Sequence, residues 1–203
     1  SKRPNMYSYK KVKGEILSKV VTLPVFEKFL KKSKYFWLKK RLSNVDQDKF
    51  QRNCLNFYKD KTFERIKLFY QNFNKYDNAE FINGEKMPSL KKLLNSIDWN
   101  WISKGFAGRF HGDFHFENIL YTQKDKSFIF LDWRQDFAGN LSIGDIYYDL
   151  AKLMHGLIVN HGIIANEQYF ASWKDNTIYY DFYRKQRLIE CENRFNDWIL
   201  ENN

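Results

Sequence analysis

Cysteine is nearly absent: Cys54 and Cys191 are the only two in 203 residues. Two distant thiols cannot build a cysteine metal cage or a disulfide framework, so a reducing, cytoplasmic setting is expected. No apolar run approaches the roughly 20 residues of a membrane-spanning helix. The opening Ser1-Lys-Arg-Pro-Asn5 has no signal-peptide core behind it. There is no internal repeat and no linker that would mark a second domain, so residues 1–203 are expected to form one unit. Acidic residues are the minority, 24 against 34 Lys and Arg, for a net charge of +10. That excess favours anionic partners such as nucleotide phosphates, nucleic acid or an acidic surface, although solubility alone also accounts for it. What the chain has in quantity is aromatic side chains, 19% of the total, so its core should be built from Phe, Tyr and Trp.

The periodicity is mostly helical. Residues 7–14 alternate apolar with polar up to Gly14 and read as an extended segment ending in a turn. Pro24 to about Leu42 carries an apolar face among lysines, with Pro24 suited to a first helical turn. Its cluster Lys31 to Arg41 reads as a solvated face. From Asp46 to Phe73 apolar residues recur every three or four positions, as in one long amphipathic helix or two broken near Lys59 to Thr62. Asn83-Gly84 signals a turn, and Ser89 should cap a short helix through Asn95. The runs Ile119 to Tyr121 and Phe128 to Leu131 flank a Lys-Asp-Lys turn and predict a hairpin. A helix over Asp145 to Val159, strands at Glu167 to Trp173 and Ile178 to Phe182, and a last helix over Arg184 to Leu200 complete the chain. The predicted fold class is α+β, mainly helical, with small β-hairpins.

Chemistry concentrates in His111-Gly-Asp-Phe-His-Phe-Glu-Asn118 and in Asp132, which closes the apolar run Phe128-Ile-Phe-Leu131. An acid, an amide five positions on and a second acid at a strand end suit phosphoryl transfer. Asp113 would orient an acceptor hydroxyl and take its proton, and for so weak a nucleophile orientation matters more than basicity. Asn118 offers a neutral oxygen and Asp132 an anionic one, together a hard-cation pair for Mg²⁺ against nucleotide phosphates. His111 reads as a ring that braces the loop, and Gly112 as a turn beside the acid. His115 either faces a phosphate or the substrate, or packs.

These residues, with Leu131-Asp-Trp133 and Gly144-Asp-Ile-Tyr-Tyr-Asp-Leu-Ala151, resemble the aminoglycoside phosphotransferase and choline kinase family, chiefly over residues 105–160. The resemblance implies the C-terminal lobe of a protein-kinase-like fold and ATP- and Mg²⁺-dependent phosphorylation of a hydroxyl on a small molecule. It makes Asp113 the catalytic acid, Asn118 and Asp132 the ligands of metal and nucleotide, and Asp149 a helix carboxylate that supports the catalytic loop. Asp145, directly after Gly144, fits a solvated first-turn acid favoured by the helix dipole. Residues 1–14 resemble the hinge between lobes and 15–203 the helical catalytic lobe. No glycine-rich phosphate loop is present, so the N-terminal lobe is expected to be absent from this chain and the chain alone to be inactive. The expected acceptor is a sugar or choline-like compound of surface-glycan assembly. Trp133, Trp173 and Tyr169 are candidate aromatic walls for a choline-like cation, with core packing as their alternative role.

Two other classes compete. His111, Asp113 and His115 alternate as in some metal-dependent hydrolase loops. The basic, aromatic composition would also suit a non-catalytic module that binds nucleic acid or a protein partner, although no nucleic-acid signature accompanies it.

Overall fold

The computed structural model describes residues 11–202. Most of the extended segment expected over 7–14 lies outside them, and 11–14 have no regular structure. The strand β1 (Glu15–Ile16) leads into a single turn, α1 (Leu17–Val20), and then into α2 (Leu23–Phe36). Pro24 lies in the first turn of α2, where a missing N–H costs nothing. Phe26, Phe29, Leu30, Ser33 and Phe36 bury one stripe of this helix, while Lys31, Lys32 and Lys34 stay in solvent.

Helix α2 stops six residues before the expected Leu42. At Trp37 the backbone leaves helical geometry, and the following residues pair with another segment instead. Lys40 donates to the Ala107 carbonyl at 2.8 Å and Arg109 donates to the Leu38 carbonyl at 3.2 Å. The pattern of lysines and apolar residues continues past Phe36, but these long-range bonds prevail over it.

The next pattern forms one rod with a defect. Ser43 caps α3 (Asn44–Leu55), which passes through a π-helical turn, Asn56–Asp60, into α4 (Lys61–Phe73). The π turn lies where a break was expected and turns Phe57 and Tyr58 inward. Phe57 packs 4.5 Å from Phe137 and 5.0 Å from Tyr148, centroid to centroid. Such insertions often mark functional positions.

Strands β2 (Phe81–Ile82) and β3 (Glu85–Lys86) close around Asn83 and Gly84, both at positive φ. Two short capped helices follow, α5 (Leu90–Ser96) and α6 (Trp99–Ile102). The motif region then runs from β4 (Ala107–Gly108) through a 3₁₀ turn, Phe116–Asn118, into the hairpin β5 (Ile119–Thr122) and β6 (Ser127–Phe130). Strand β7 (Gly144–Asp145) opens α7 (Ile146–Ile158), and α8 (His161–Ala165), β8 (Tyr169–Lys174), β9 (Thr177–Phe182) and α9 (Gln186–Glu201) follow.

Among the described residues the architecture is α+β with three small sheets and no barrel. Strand β1 pairs antiparallel with β5, and β4 pairs antiparallel with β7. The two remaining hairpins join through a parallel contact between β2 and β9, giving the order β3-β2-β9-β8. The larger core gathers α2, the motif region, α7 and α9 around Phe26, Phe29, Phe114, Phe116, Leu153 and Phe195. A second core holds Phe50, Cys54, Phe110 and Phe137. Both cysteines are buried free thiols, one in each core.

Phe29 is the hub of the larger core. It is fully buried, with ring centroids 5.5 Å from Phe114, 6.1 Å from Phe116 and 5.3 Å from Phe128. Phe29→Ala should therefore cost about 3–5 kcal/mol, measured as a shift of the urea unfolding curve. A loss below about 1 kcal/mol would show that the packing around this ring closes over the gap.

Candidate active site

The motif loop is hung from a buried carboxylate. Asp149 is fully buried in the first turn of α7. Its oxygens accept from the backbone N–H of His111 and of Gly112, both at 2.7 Å, and from Trp37 Nε1 at 3.0 Å. Gly112 sits at φ +85°, and a Cβ there would come within 2.4 Å of the Arg134 Cβ, so glycine is required at this turn. Burial pushes the Asp149 carboxyl up to about 6, against the lowering effect of its three donors.

Asp145 corrects the expectation of a solvated helix acid. It is fully buried, caps α7, and accepts from Tyr58 Oη at 2.6 Å, Phe106 N at 2.8 Å and Tyr147 N at 3.0 Å. The pairing of β4 with β7 carries it inward, and Tyr58 arrives from the π turn to meet it. Burial raises its carboxyl above the ordinary value. The same environment raises the Tyr58 hydroxyl, through burial first and the Asp145 charge second.

His111 is a bracing ring, fully buried between Phe114 and Trp133 with centroids at 5.5 and 5.4 Å. Its Nδ1 accepts from Asp113 N at 3.2 Å. Burial lowers its basicity; the nearby Leu131 carbonyl acts the other way but falls short of hydrogen-bond geometry, leaving Nε2 unpartnered.

Asp113 is half-buried, its side chain 37% exposed, and it is crowded with donors. Lys152 Nζ lies 2.7 Å from Oδ1, while His115 Nε2 at 3.2 Å and Asn118 Nδ2 at 3.1 Å share Oδ2. Burial would raise this carboxyl, but Lys152 and His115 together hold it below its usual range. A carboxylate offers about four lone-pair directions, so these three contacts leave one for a further hydroxyl. Asn118 also donates to the Asp113 carbonyl at 3.0 Å. Its side-chain hydrogen bonds among the described residues all run through Nδ2, which leaves Oδ1 as an acceptor.

Asp132 is exposed and adopts φ +54°, a left-handed conformation that aspartate tolerates better than most residues. Its chain neighbours fasten it to the motif loop. Leu131 N donates to the Asn118 carbonyl and Arg134 N to the His111 carbonyl, each at 2.8 Å. No hydrogen bond or ion pair engages its side chain among the described residues. The pair Asn118 Oδ1 and the Asp132 carboxylate, one neutral oxygen and one anionic, is a donor set that fits a hard divalent cation.

The triad His111, Asp113 and His115 does not gather. Among the described residues, the side chains close enough to share an ion are His115, Glu117 and His161. The aromatic candidates divide. Trp133 rests on Phe36 at 5.1 Å with nearly half its surface exposed, Trp173 stacks on Phe69, and Tyr169 is exposed rather than packed in the core.

Lys152, Trp37 and Tyr58 were not anticipated. Lys152 had a signal, since it follows Asp149 by three residues and so shares a face of α7. Trp37 and Tyr58 had none, because they meet their carboxylates from 112 and 87 residues away.

The model of the APH phosphotransferase enzyme family matches residues 57–185, more than half of the chain, and the protein belongs to that family. No curated protein and no solved structure matches it. Membership carries phosphotransferase chemistry in general. No described helix is long and apolar enough to cross a membrane.

Two titrations follow from this geometry. The Asp149 carboxyl should show an NMR midpoint near pH 6; a midpoint at or below 4 would mean that its donors outweigh burial. Its ordinary value is 3.8, so the proton binds more tightly in the folded state. The stability it contributes is complete below pH 3.8 and is lost as pH rises through about 6, a loss of about 3 kcal/mol by neutral pH. Lys152→Met should move the Asp113 midpoint upward, and an unchanged midpoint would show that the ammonium does not hold that carboxyl.

Proposed function

We propose that this chain transfers the γ-phosphoryl group of ATP to a hydroxyl of a small molecule, with Asp113 as the residue that orients and deprotonates the acceptor. The observation that carries the reading is the convergence on Asp113: Asn118 donates to its carboxylate and its carbonyl, and the Leu131 N–H ties the Asp132 neighbourhood to Asn118. In the transfer, the acceptor oxygen bonds to phosphorus, the bond from phosphorus to the ADP oxygen breaks, and the hydroxyl proton passes to Asp113.

Several features support each part. Asp113 is held ionised by Lys152 and His115 with one acceptor direction left over, which suits the capture of an O–H. The Lys152 ammonium limits the negative charge facing an incoming phosphate. Asn118 Oδ1 and Asp132 would hold Mg²⁺. When bound, the ion supplies charge neutralisation for the β- and γ-phosphates. His111 and Asp149 act through the backbone, fixing the loop on which Asp113 stands.

We propose further that residues 15–203 act as one helical lobe of a kinase-like arrangement. Hollows of about 550 Å³ beside Phe63 and Tyr70, about 480 Å³ beside Phe170 and Phe182, and about 400 Å³ between Trp37, Phe106 and Trp198 all lie away from Asp113. A cleft with a single wall encloses little volume, so the donor set locates the site better than concavity does. The chain has no glycine-rich phosphate loop, so the covering wall would come from a second lobe.

The test is a screen of small alcohols, sugars and choline-like compounds first, with the full-length protein, ATP and Mg²⁺, reading phosphorylated product. Asp113→Ala and Asp132→Ala should each lower kcat by at least about 100-fold with an unchanged circular dichroism spectrum. Near-normal rates in both variants would overturn the assignment.

A further inference from the structure

Beyond the phosphotransfer site, the geometry points to a second cation position: we propose that His115, Glu117 and His161 bind a divalent transition metal of the zinc class. One ring nitrogen from each histidine and one Glu117 oxygen lie within 4.8 Å of one another. Nothing in the phosphotransfer reading uses Glu117 or His161. Two imidazoles and a carboxylate make a borderline donor set, suited to Zn²⁺ and mismatched to Mg²⁺, which prefers oxygen alone.

The surroundings are those of oriented ligands. His115 is buried and turns Nδ1 toward Glu117 Oε2 at 3.1 Å, while its Nε2 is held 3.2 Å from Asp113 Oδ2. A ligating histidine whose other nitrogen is fixed by a carboxylate is the usual outer-sphere arrangement around zinc. Glu117 is held in turn, since its Oε1 accepts from Asn160 Nδ2 at 3.3 Å. Gly156 lets α7 pass close to the ring, because a Cβ there would lie 3.2 Å from that of His115.

His161 is exposed at the start of α8, and its ring centroid is 4.8 Å from that of His115. Tetrahedral ligands on zinc stand roughly 3.3 Å apart, so the site must tighten, and the exposed His161 ring is free to make that movement. The cation would replace the proton that bridges His115 Nδ1 and Glu117, releasing it to solvent. Three protein ligands leave one position open to water or an anion. One imidazole ring separates this ion from Asp113, so its occupancy would fix His115 as an Nε2–H donor to the catalytic carboxylate.

The experiment is equilibrium dialysis of the metal-free full-length protein against Zn²⁺ in excess Mg²⁺, with bound zinc measured by atomic emission. Cobalt replaces zinc in a parallel series read by its visible absorption. One equivalent should bind, and His161→Ala and Glu117→Gln should each weaken binding at least tenfold. Asp132→Asn should leave zinc binding unchanged while removing Mg-nucleotide binding. Zinc retained by both His161→Ala and Glu117→Gln, no zinc bound at micromolar concentration, or zinc lost in Asp132→Asn would each overturn the proposal. If Glu117→Gln fails to fold, His161→Ala decides alone, since that side chain is exposed. The readout is bound metal rather than turnover, so the outcome stands apart from any failure of the phosphotransfer reading.

Discussion

Three donors converge on Asp149, and the positions of the other site residues depend on that convergence. Two are backbone N–H groups of the motif loop, and the third is an indole from the end of α2. One side chain on α7 thus fixes three parts of the chain relative to one another. A carboxylate without these partners would be far too costly to bury. With them it still resists ionisation, which is why its carboxyl sits near 6. The loop is held by a group whose charge is not free of cost, and removing any one donor would leave an uncompensated acceptor in an apolar core.

Asp145 repeats the device one helical turn earlier. It binds Tyr58 from the π turn and the Phe106 N–H at the entry to β4. Both acids therefore stand at the N-terminal end of α7, where the helix dipole favours negative charge, and each ties a different segment to it. The π turn gains a physical reason from this pairing. From the widened turn Phe57 packs on Phe137 while Tyr58 reaches Asp145.

On the solvent side of this scaffold runs a polar chain, from Lys152 through Asp113 and His115 to Glu117 and Asn160. Its charges alternate in sign when His115 is protonated, a form that the Glu117 contact favours. Asp113 is consequently set by groups on two helices and by its own loop. His115 is the shared member: one nitrogen faces the carboxylate proposed for catalysis, and the other faces the side chains proposed for a second metal. A change at either end is transmitted through a single ring.

Local pattern was sufficient wherever neighbours in sequence decide the outcome. The hairpin around Lys124-Asp-Lys126, the Ser89 cap, the Asn83-Gly84 turn and α9 all follow from spacing and turn chemistry within a few residues. The motif itself was legible because Asp113, His115 and Asn118 lie within one loop, and the family match spans the same blocks. Pattern failed at Trp37, where bonds to Ala107 and Asp149 end a helix that amphipathicity would have continued. It failed again at Asp145, whose burial depends on a strand pairing that no local feature announces. By itself, then, the sequence determined the family, the α+β class and the acids proposed to carry the chemistry, because these reside in residue identity and short-range order. Only the tertiary structure decided which carboxylates are buried, that Lys152 meets Asp113 and that Glu117 meets His161. Those outcomes depend on burial and on contacts between distant segments, which exist only once the chain has packed.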